Sequence, residues 1–315
     1  MSPQLTAPVL ALDIGGTKLA AAVVDGDGRF LAQARTQTPI ANDPEQLFAE
    51  LAQLCRDVLH QAGASVRKIG VGCGGPMRYP DGLVSPLNIP AWRDFPLGQR
   101  LAETFGLPWV IDNDANALVL GERWRGAGRG SNNVLGMVIS TGVGGGIVLE
   151  GGLLHGQHGN AGHVGHVIVW PDGPPCGCGA RGCLEAVASG TGLARRLSAA
   201  IAEGRPTSLS QGASAADIAT AARGGDVLAS ELFRTAGEAV GRGIASAAAV
   251  LDLERVILGG SIALRAWDLL DSAVRRELRT SARLDFTRDL PVMLAELGDA
   301  AGLYGAAALT LDARA

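Results

Sequence analysis

Asp13-Ile14-Gly15-Gly16-Thr17-Lys18 joins two short apolar runs, Val9 to Asp13 before it and Leu19 to Val24 after it. Runs of this length bounded by glycine read as buried strands, so the chain opens as strand, glycine turn, strand. The two glycines remove the β-carbons that would hold a polyphosphate away from backbone N–H groups. Thr17 adds a hydroxyl donor, Lys18 a positive charge, and Asp13 a carboxylate able to hold magnesium directly or through water. The spacing is not that of a P-loop, and the turn does not open a helix with the dinucleotide-binding glycine pattern. Both of those nucleotide folds are disfavoured.

Outward from this turn, Asp25-Gly26-Asp27-Gly28 signals a hairpin and Phe30 to Thr36 a third strand, which makes an antiparallel meander. Asp43-Pro44-Glu45 starts a helix whose apolar residues Leu47, Leu51, Leu54, Cys55, Val58 and Leu59 recur at helical spacing until Gly63 stops it. Lys68 to Val71 and Trp109 to Ile111 are further short strands ending at polar or glycine-rich residues, where open α/β sheets place their ligands. Leu135 to Ser140 and Gly146 to Leu149 repeat the opening unit around Thr141-Gly142-Val143-Gly144-Gly145-Gly146, which has the same capacity to bind phosphate. Gly259-Gly260-Ser261, after the strand Arg255 to Leu258, is a third stretch of bare backbone, suited to a flat adenosine. Each turn taken alone is also readable as a plain hairpin.

Helices dominate from Leu184 onward, interrupted by a polar loop at Gly204 to Gln211, and a last helix at Ala301 to Leu311 closes the chain. The expected organisation is two α/β domains. One spans residues 1–120, with the final helix (301–315) packing back on it, and the other spans 121–300. The boundary falls near residues 118–130.

The 315 residues carry 47% apolar and 18% charged side chains, 45 glycines and a net charge of −4. This is a globular composition without the basic field that collects nucleic acid or an anionic membrane. No apolar stretch approaches the ~18–20 residues of a membrane span, and the start lacks a targeting signal. A soluble, cytoplasmic protein is expected.

Asp112-Asn113-Asp114-Ala115-Asn116 follows the strand at Trp109, and a helix over Ala115 to Glu122 comes next. A carboxylate at that junction would face the interdomain cleft, where Asp114 suits a general base and Asn113 suits hydrogen bonding to sugar hydroxyls. The competing reading makes Asp114 a simple helix cap. Ser85 to Trp92 reads as a rigid loop that offers Asn88 to a polyol, or as a surface loop with Trp92 anchored in the core.

Five cysteines are present, and Cys176, Cys178 and Cys183 follow His166 with glycines between them. One imidazole and three thiolates at this spacing fit tetrahedral zinc. With no open coordination position the metal would be structural, pinning the loop that carries His163, His166 and Glu185. Cys55 and Cys73 read as buried packing residues, and His155 and His158 as polar loop residues.

Taken together, these segments resemble the ROK family of bacterial sugar kinases and sugar-responsive repressors, over nearly the whole chain. Asp13 to Lys18 and Ser140 to Gly146 look like its two phosphate motifs, Asn113 to Ala117 like its catalytic segment, Gly165-His166 with Cys176 to Glu185 like its zinc signature, and Gly259-Gly260 like the end of its adenosine motif. The resemblance implies a two-domain actin/hexokinase-like, ribonuclease H-like ATPase fold with a mixed sheet in each domain and a cleft between them. It implies a homodimer that uses ATP and magnesium, with structural zinc. The γ-phosphate would go to a sugar 6-hydroxyl, with Asp114 as base. Asn88, Asn113, Asp114, His163, His166 and Glu185 would contact sugar, while Asp13, Gly15, Gly16, Thr17, Lys18, Thr141, Gly142, Gly144, Gly259 and Gly260 would serve ATP.

Ala161-Gly162-His163-Val164-Gly165-His166 departs from the glucokinase-like Ala-Gly-Glu-x-Gly-His and resembles the form in bacterial N-acetylmannosamine kinases, which makes an N-acylated or 2-epimeric hexose plausible beside glucose. Gly72-Cys73-Gly74-Gly75-Pro76 departs from the commoner Gly-x-Pro-Gly-Pro. Competing readings are a repressor, for which a DNA-reading segment has no room before residue 13, a non-catalytic sugar sensor, and a polyphosphate-dependent glucokinase that uses the basic stretch Arg123, Arg125 and Arg129.

Overall fold

The computed structural model describes residues 5–39 and 43–311. The chain divides into two compact units: Met1–Asn132 with Gly146–Ala161 and Glu296–Ala315, and Asn133–Gly145 with Gly162–Ala295. No helix among the described residues is long and apolar enough to cross a membrane.

In the first unit β1 (Val9–Ile14), β2 (Lys18–Val24) and β3 (Phe30–Gln37) form the expected antiparallel meander. With β4 (Ile69–Cys73) and β7 (Trp109–Asn113) they make a five-stranded sheet in the order β3-β2-β1-β4-β7, where β4 lies parallel to both β1 and β7. A small ribbon of β5 (Met77–Arg78) and β6 (Leu83–Val84) lies between β4 and β7 in the chain.

Helix α1 (Pro44–Ala62) starts where the sequence says it should. Asp43 caps it by accepting from Glu45 N at 2.9 Å, and Gly63, at φ 58°, closes it with an N–H to Leu59 O. Its apolar stripe joins α2 (Leu97–Phe105) in covering Leu10, Leu12, Ile14, Ile69, Val71 and Cys73 on one face of the sheet. Truncating a fully buried member such as Leu51 to alanine would cost about 2–5 kcal/mol.

Side chains alternate along a strand, so the opposite face carries Ala11, Asp13, Gly70 and Gly72. There the C-terminal helix Ala301–Leu309 and α3 (Asp114–Arg125) come close. A β-carbon at Gly70 would collide with Ala306 O, and one at Gly72 would come within 3.1 Å of Ala117 Cβ. Small residues on this face let two helices lie against the strands, beside Asp13 and the junction at which β7 passes into Asp114.

The second sheet runs β10-β9-β8-β11-β12, built from β8 (Val134–Ile139), β9 (Val143–Leu149), β10 (Gly152–Leu153), β11 (Arg255–Gly259) and β12 (Val292–Leu294). β11 is parallel to β8 and to β12. The glycine turn before β9 is shorter than the sequence suggests, because Gly144, Gly145 and Gly146 already belong to the strand. Close packing accounts for Gly145 and Gly146: a β-carbon at Gly145 would meet Val164, Gly162 O and Gly136 O, and one at Gly146 would meet Ala115 O.

In the second unit, helices α4 (Leu184–Ala188), α5 (Gly190–Ala202), α6 (Ala215–Arg223), α7 (Val227–Leu251), α8 (Ser261–Arg265) and α9 (Trp267–Ser281) account for the helical character of the C-terminal half. α7 packs along α9 through Gly237 and Gly241, spaced one turn apart, where added β-carbons would lie 2.8 Å from Leu270 O and 3.0 Å from Val274 O.

Candidate active site

In the first unit, Ile14 aligns with Cys73 and Cys73 with Asn113, so the ends of three parallel strands lie side by side. That alignment brings together Asp13, Gly72 to Gly75, Asn113 and Asp114. Gly15 N donates to Lys18 O at 3.0 Å, closing the turn, and Thr38 Oγ1 donates to Gly15 O at 2.6 Å. Lys18 Nζ lies 3.5 Å from Asp13 Oδ2. Gly16 abuts Asn88 so closely that any β-carbon would overlap the Asn88 side chain. The polyol-type loop is thereby seated on the phosphate-type turn, and fully buried Trp92 anchors it through Nε1 to Pro44 O at 3.1 Å.

The cap of α3 is Asn113, whose Oδ1 accepts from Ala115 N at 2.9 Å, while Asp114 occupies the first helical position. The cap reading of Asp114 is therefore replaced by Asn113. Asp114 keeps solvent access, yet desolvation by the surrounding protein raises its carboxyl pKa, the negative charge of Asp13 adds to this, and N–H groups at the start of α3 oppose it. Asp13 is also shifted upward, by burial against the pull of Lys18. Burial and both aspartates push the Cys73 thiol far up, so it is an inert packing group.

His155 is the residue whose role the sequence did not reveal. Read there as a polar loop residue, it stacks on Tyr79 with ring centroids 4.3 Å apart and bonds buried Asp112 Oδ2 through Nε2 at 2.7 Å. Asp112 Oδ1 accepts from Asn113 N and Asn116 Nδ2, which fixes the strand-to-helix junction before Asp114. The only local signal is Asp112 itself, an acidic residue in a strand otherwise buried. His158 is exposed, as read.

The second unit collects the other motif residues. Thr141 and Gly142 form the turn between β8 and β9, with Ser140 N bonded to Gly142 O at 2.9 Å. Gly190 and Thr191, opening α5, donate to Ser140 O and Thr141 O. Glu185 Oε2 accepts from Val143 N at 3.0 Å. Gly259 ends β11 beside Val138, and Gly260, at φ 88°, passes so close to β8 that a β-carbon would lie 2.5 Å from Ile139 O. Ser261 Oγ then meets Ser140 Oγ at 2.9 Å, bringing the third glycine stretch to the second.

His163 and His166 flank a single 3-10 turn, with rings stacked at 6.3 Å. His166 also belongs to a cluster with Cys176, Cys178 and Cys183 whose ligand atoms all lie within 4.8 Å of one another. Cys178 Sγ lies 3.7 Å from Cys183 Sγ, and Cys176 Sγ lies 3.8 Å from His166 Nδ1. A tetrahedron built on Zn–S bonds of about 2.3 Å has edges of about 3.8 Å, so this donor set fits zinc. Gly182, at φ 71°, leaves no room for a side chain beside Trp170 O, which accounts for the glycine next to Cys183.

The basic stretch is structural where its contacts are defined. Arg123 donates to Ser131 O and Asn132 Oδ1, and the Arg125 guanidinium lies 4.5 Å from the Trp124 ring.

Two mixed sheets with glycine turns at their strand ends and a carboxylate at a strand-to-helix junction are the architecture of the actin-like ATPases. The chain belongs to the ROK family, whose model matches residues 9–313. It is 34% identical to a glucokinase of Thermotoga maritima, covering 96% of each chain. It is 36% identical to an N-acetylmannosamine kinase of Yersinia pseudotuberculosis, covering 95% of this chain and 96% of the relative. A ROK family glucokinase of Streptomyces griseus, solved with glucose and AMPPNP, superposes with a TM-score of 0.75 at 34% identity, over 98% of this chain and all of that one.

Proposed function

We propose that the protein is an ATP-dependent sugar kinase that phosphorylates the 6-hydroxyl of a hexose or N-acylhexosamine. The observation that carries the reading is Asp114: a carboxylate at the end of β7, released from capping by Asn113, solvent-accessible and shifted upward in pKa. A base with that placement accepts the hydroxyl proton as the sugar oxygen bonds to the γ-phosphorus and the bond to the β-phosphate oxygen breaks, releasing ADP. Aligning the reactants supplies much of the acceleration.

Asn88, Asn113, His163, His166 and Glu185 are the residues proposed for sugar binding. The turns at Gly15 to Lys18 and Thr141 to Gly142, with Gly144, Gly259 and Gly260, are proposed for ATP. Asp13, a hard oxygen donor at the end of β1, is the residue suited to hold magnesium, which when bound neutralises phosphate charge. His166, Cys176, Cys178 and Cys183 would hold zinc as a structural clip that fixes the turn bearing His163.

His163 bears on the choice of sugar. An imidazole can donate a hydrogen bond where a carboxylate only accepts, which suits the carbonyl oxygen of an N-acyl group. The kinship extends to glucokinases and to an N-acetylmannosamine kinase alike, so an N-acylhexosamine is proposed as a candidate substrate beside glucose. The test is ADP release from magnesium ATP with glucose, mannose, N-acetylglucosamine, N-acetylmannosamine and fructose. One dominant sugar is expected. Sugar binding without turnover on any of them would make the protein a sensor, and turnover only with polyphosphate would replace the donor.

A further inference from the structure

The second glycine turn is held from two sides within its own unit. On one side Gly190 N and Thr191 N, at the start of α5, donate to Ser140 O at 2.7 Å and Thr141 O at 3.2 Å. On the other, Glu185, in the first turn of α4, takes the N–H of Val143, the first residue after the turn. The fit is tight: a β-carbon at Gly142 would lie 2.7 Å from the same Glu185 oxygen. Val143 is buried, and Gly165, the residue before His166, packs against its carbonyl with no space for a side chain. Residues proposed for sugar therefore lie directly against the backbone of a turn proposed for phosphate.

We propose that Glu185 is a positioning residue for the Thr141–Gly142 turn, and that through it sugar and nucleotide binding reinforce each other. The inference rests on the sugar-kinase reading, which assigns Glu185 to the sugar alone. A carboxylate has two oxygens and several acceptor directions. Oε2 holds Val143, and a sugar hydroxyl donating to the same group fixes its rotamer and with it the turn. Ordering shared in this way makes the second ligand bind to a part already ordered, and the coupling is reciprocal.

The experiment is calorimetric titration of magnesium AMPPNP into the protein, first without sugar and then with the saturating sugar identified in the panel, for the parent, Glu185→Ala, Glu185→Gln and Glu185→Asp. A residue that contacts only sugar leaves nucleotide affinity without sugar unchanged. A positioning residue does not. Without sugar, Glu185→Ala is expected to bind nucleotide about tenfold more weakly, in line with loss of a hydrogen bond to a charged group. Glu185→Gln, which keeps a carbonyl oxygen for Val143 N, is expected to recover most of that affinity. In the parent, sugar tightens nucleotide binding severalfold, and in Glu185→Ala that gain disappears.

Glu185→Asp keeps the charge but withdraws the acceptor from Val143 N, and it is expected to reproduce the weakening. It carries the test should Glu185→Ala fail to fold. Nucleotide affinity equal to the parent's in Glu185→Ala, or in Glu185→Asp if the first does not fold, would overturn the inference and leave the kinase reading standing. A parent protein that binds neither nucleotide nor sugar would overturn both.

Discussion

Asp114 combines solvent access with a carboxyl pKa raised first by desolvation and then by Asp13, and both consequences are measurable. As the base it must be ionised, so kcat should fall as pH drops through a value above the ordinary carboxylate value of about 3.9. Asp114→Asn should lower kcat by about 10²–10⁴-fold with sugar KM little changed. The same shift has a stability sign. A folded-state pKa above the unfolded one means that ionisation at neutral pH opposes folding, and the penalty disappears as pH falls to the unfolded value. Thermal melts should therefore show Asp114→Asn more stable than the parent at pH 7, with the advantage shrinking toward pH of about 4. A variant melting below the parent at pH 7 would contradict the electrostatic account. Asp114, Asn88 and the glycines could be proposed from the sequence because the chemistry suggested for them is local to short motifs, and the structure places Asp114 beside Asp13 and Asn88 against Gly16. His155 could not, since its partners Asp112 and Tyr79 come from segments distant in the chain, and nothing beside it marks it as buried.

At the level of elements, the legible parts were those with local punctuation. Asp43-Pro44 and Gly63 mark both ends of α1, and the Asp-Gly turn at residues 25–28 marks the meander. β5, β6, β10 and β12, each two or three residues long, carry too little pattern to stand out. Close helix approach is equally invisible locally. Gly305 in the C-terminal helix looks like a weak helix residue whose change to alanine should add about 1 kcal/mol. In the structure its Cα faces the Ala117 carbonyl of α3 with no room for a β-carbon, so Gly305→Ala should instead lose about 1–3 kcal/mol in urea unfolding. Glu122, at the far end of α3, is fully buried and accepts from Ala127 N, Glu296 N and Leu297 N, joining three chain segments of the first unit. Glu122→Ala would strand those donors and should cost about 3 kcal/mol or more, with Glu122→Gln losing less. A loss under about 1 kcal/mol would show that the carboxylate does not tie these segments.

Across the whole molecule, the Cys/His cluster is joined to the second glycine turn through its neighbours: Gly165, before His166, packs on Val143 O, and Glu185, two residues after Cys183, accepts from Val143 N. The four donors of His166, Cys176, Cys178 and Cys183 leave no open position, so on the proposed reading zinc would act as a clip, and the purified protein is expected to contain about one zinc per chain. Removing zinc with a strong chelator, or changing Cys178 to serine, should lower the melting temperature and weaken sugar binding through His163, His166 and Glu185, with nucleotide affinity falling less because Gly190 and Thr191 still hold the other side of the Thr141–Gly142 turn. Loss of nucleotide binding equal to the loss of sugar binding would place the cluster in general folding instead.

The central claim is phosphoryl transfer with Asp114 as base, and the most direct measurement compares the parent with Asp114→Asn on the best sugar of the panel. Turnover is followed by phosphorus NMR and binding by calorimetry. The account predicts a sugar 6-phosphate from the parent, and from the variant a rate at least about a hundredfold lower with sugar and nucleotide still bound. A variant that turns over at the parent's rate, or a parent that binds both ligands and forms no phosphorylated sugar, would contradict it.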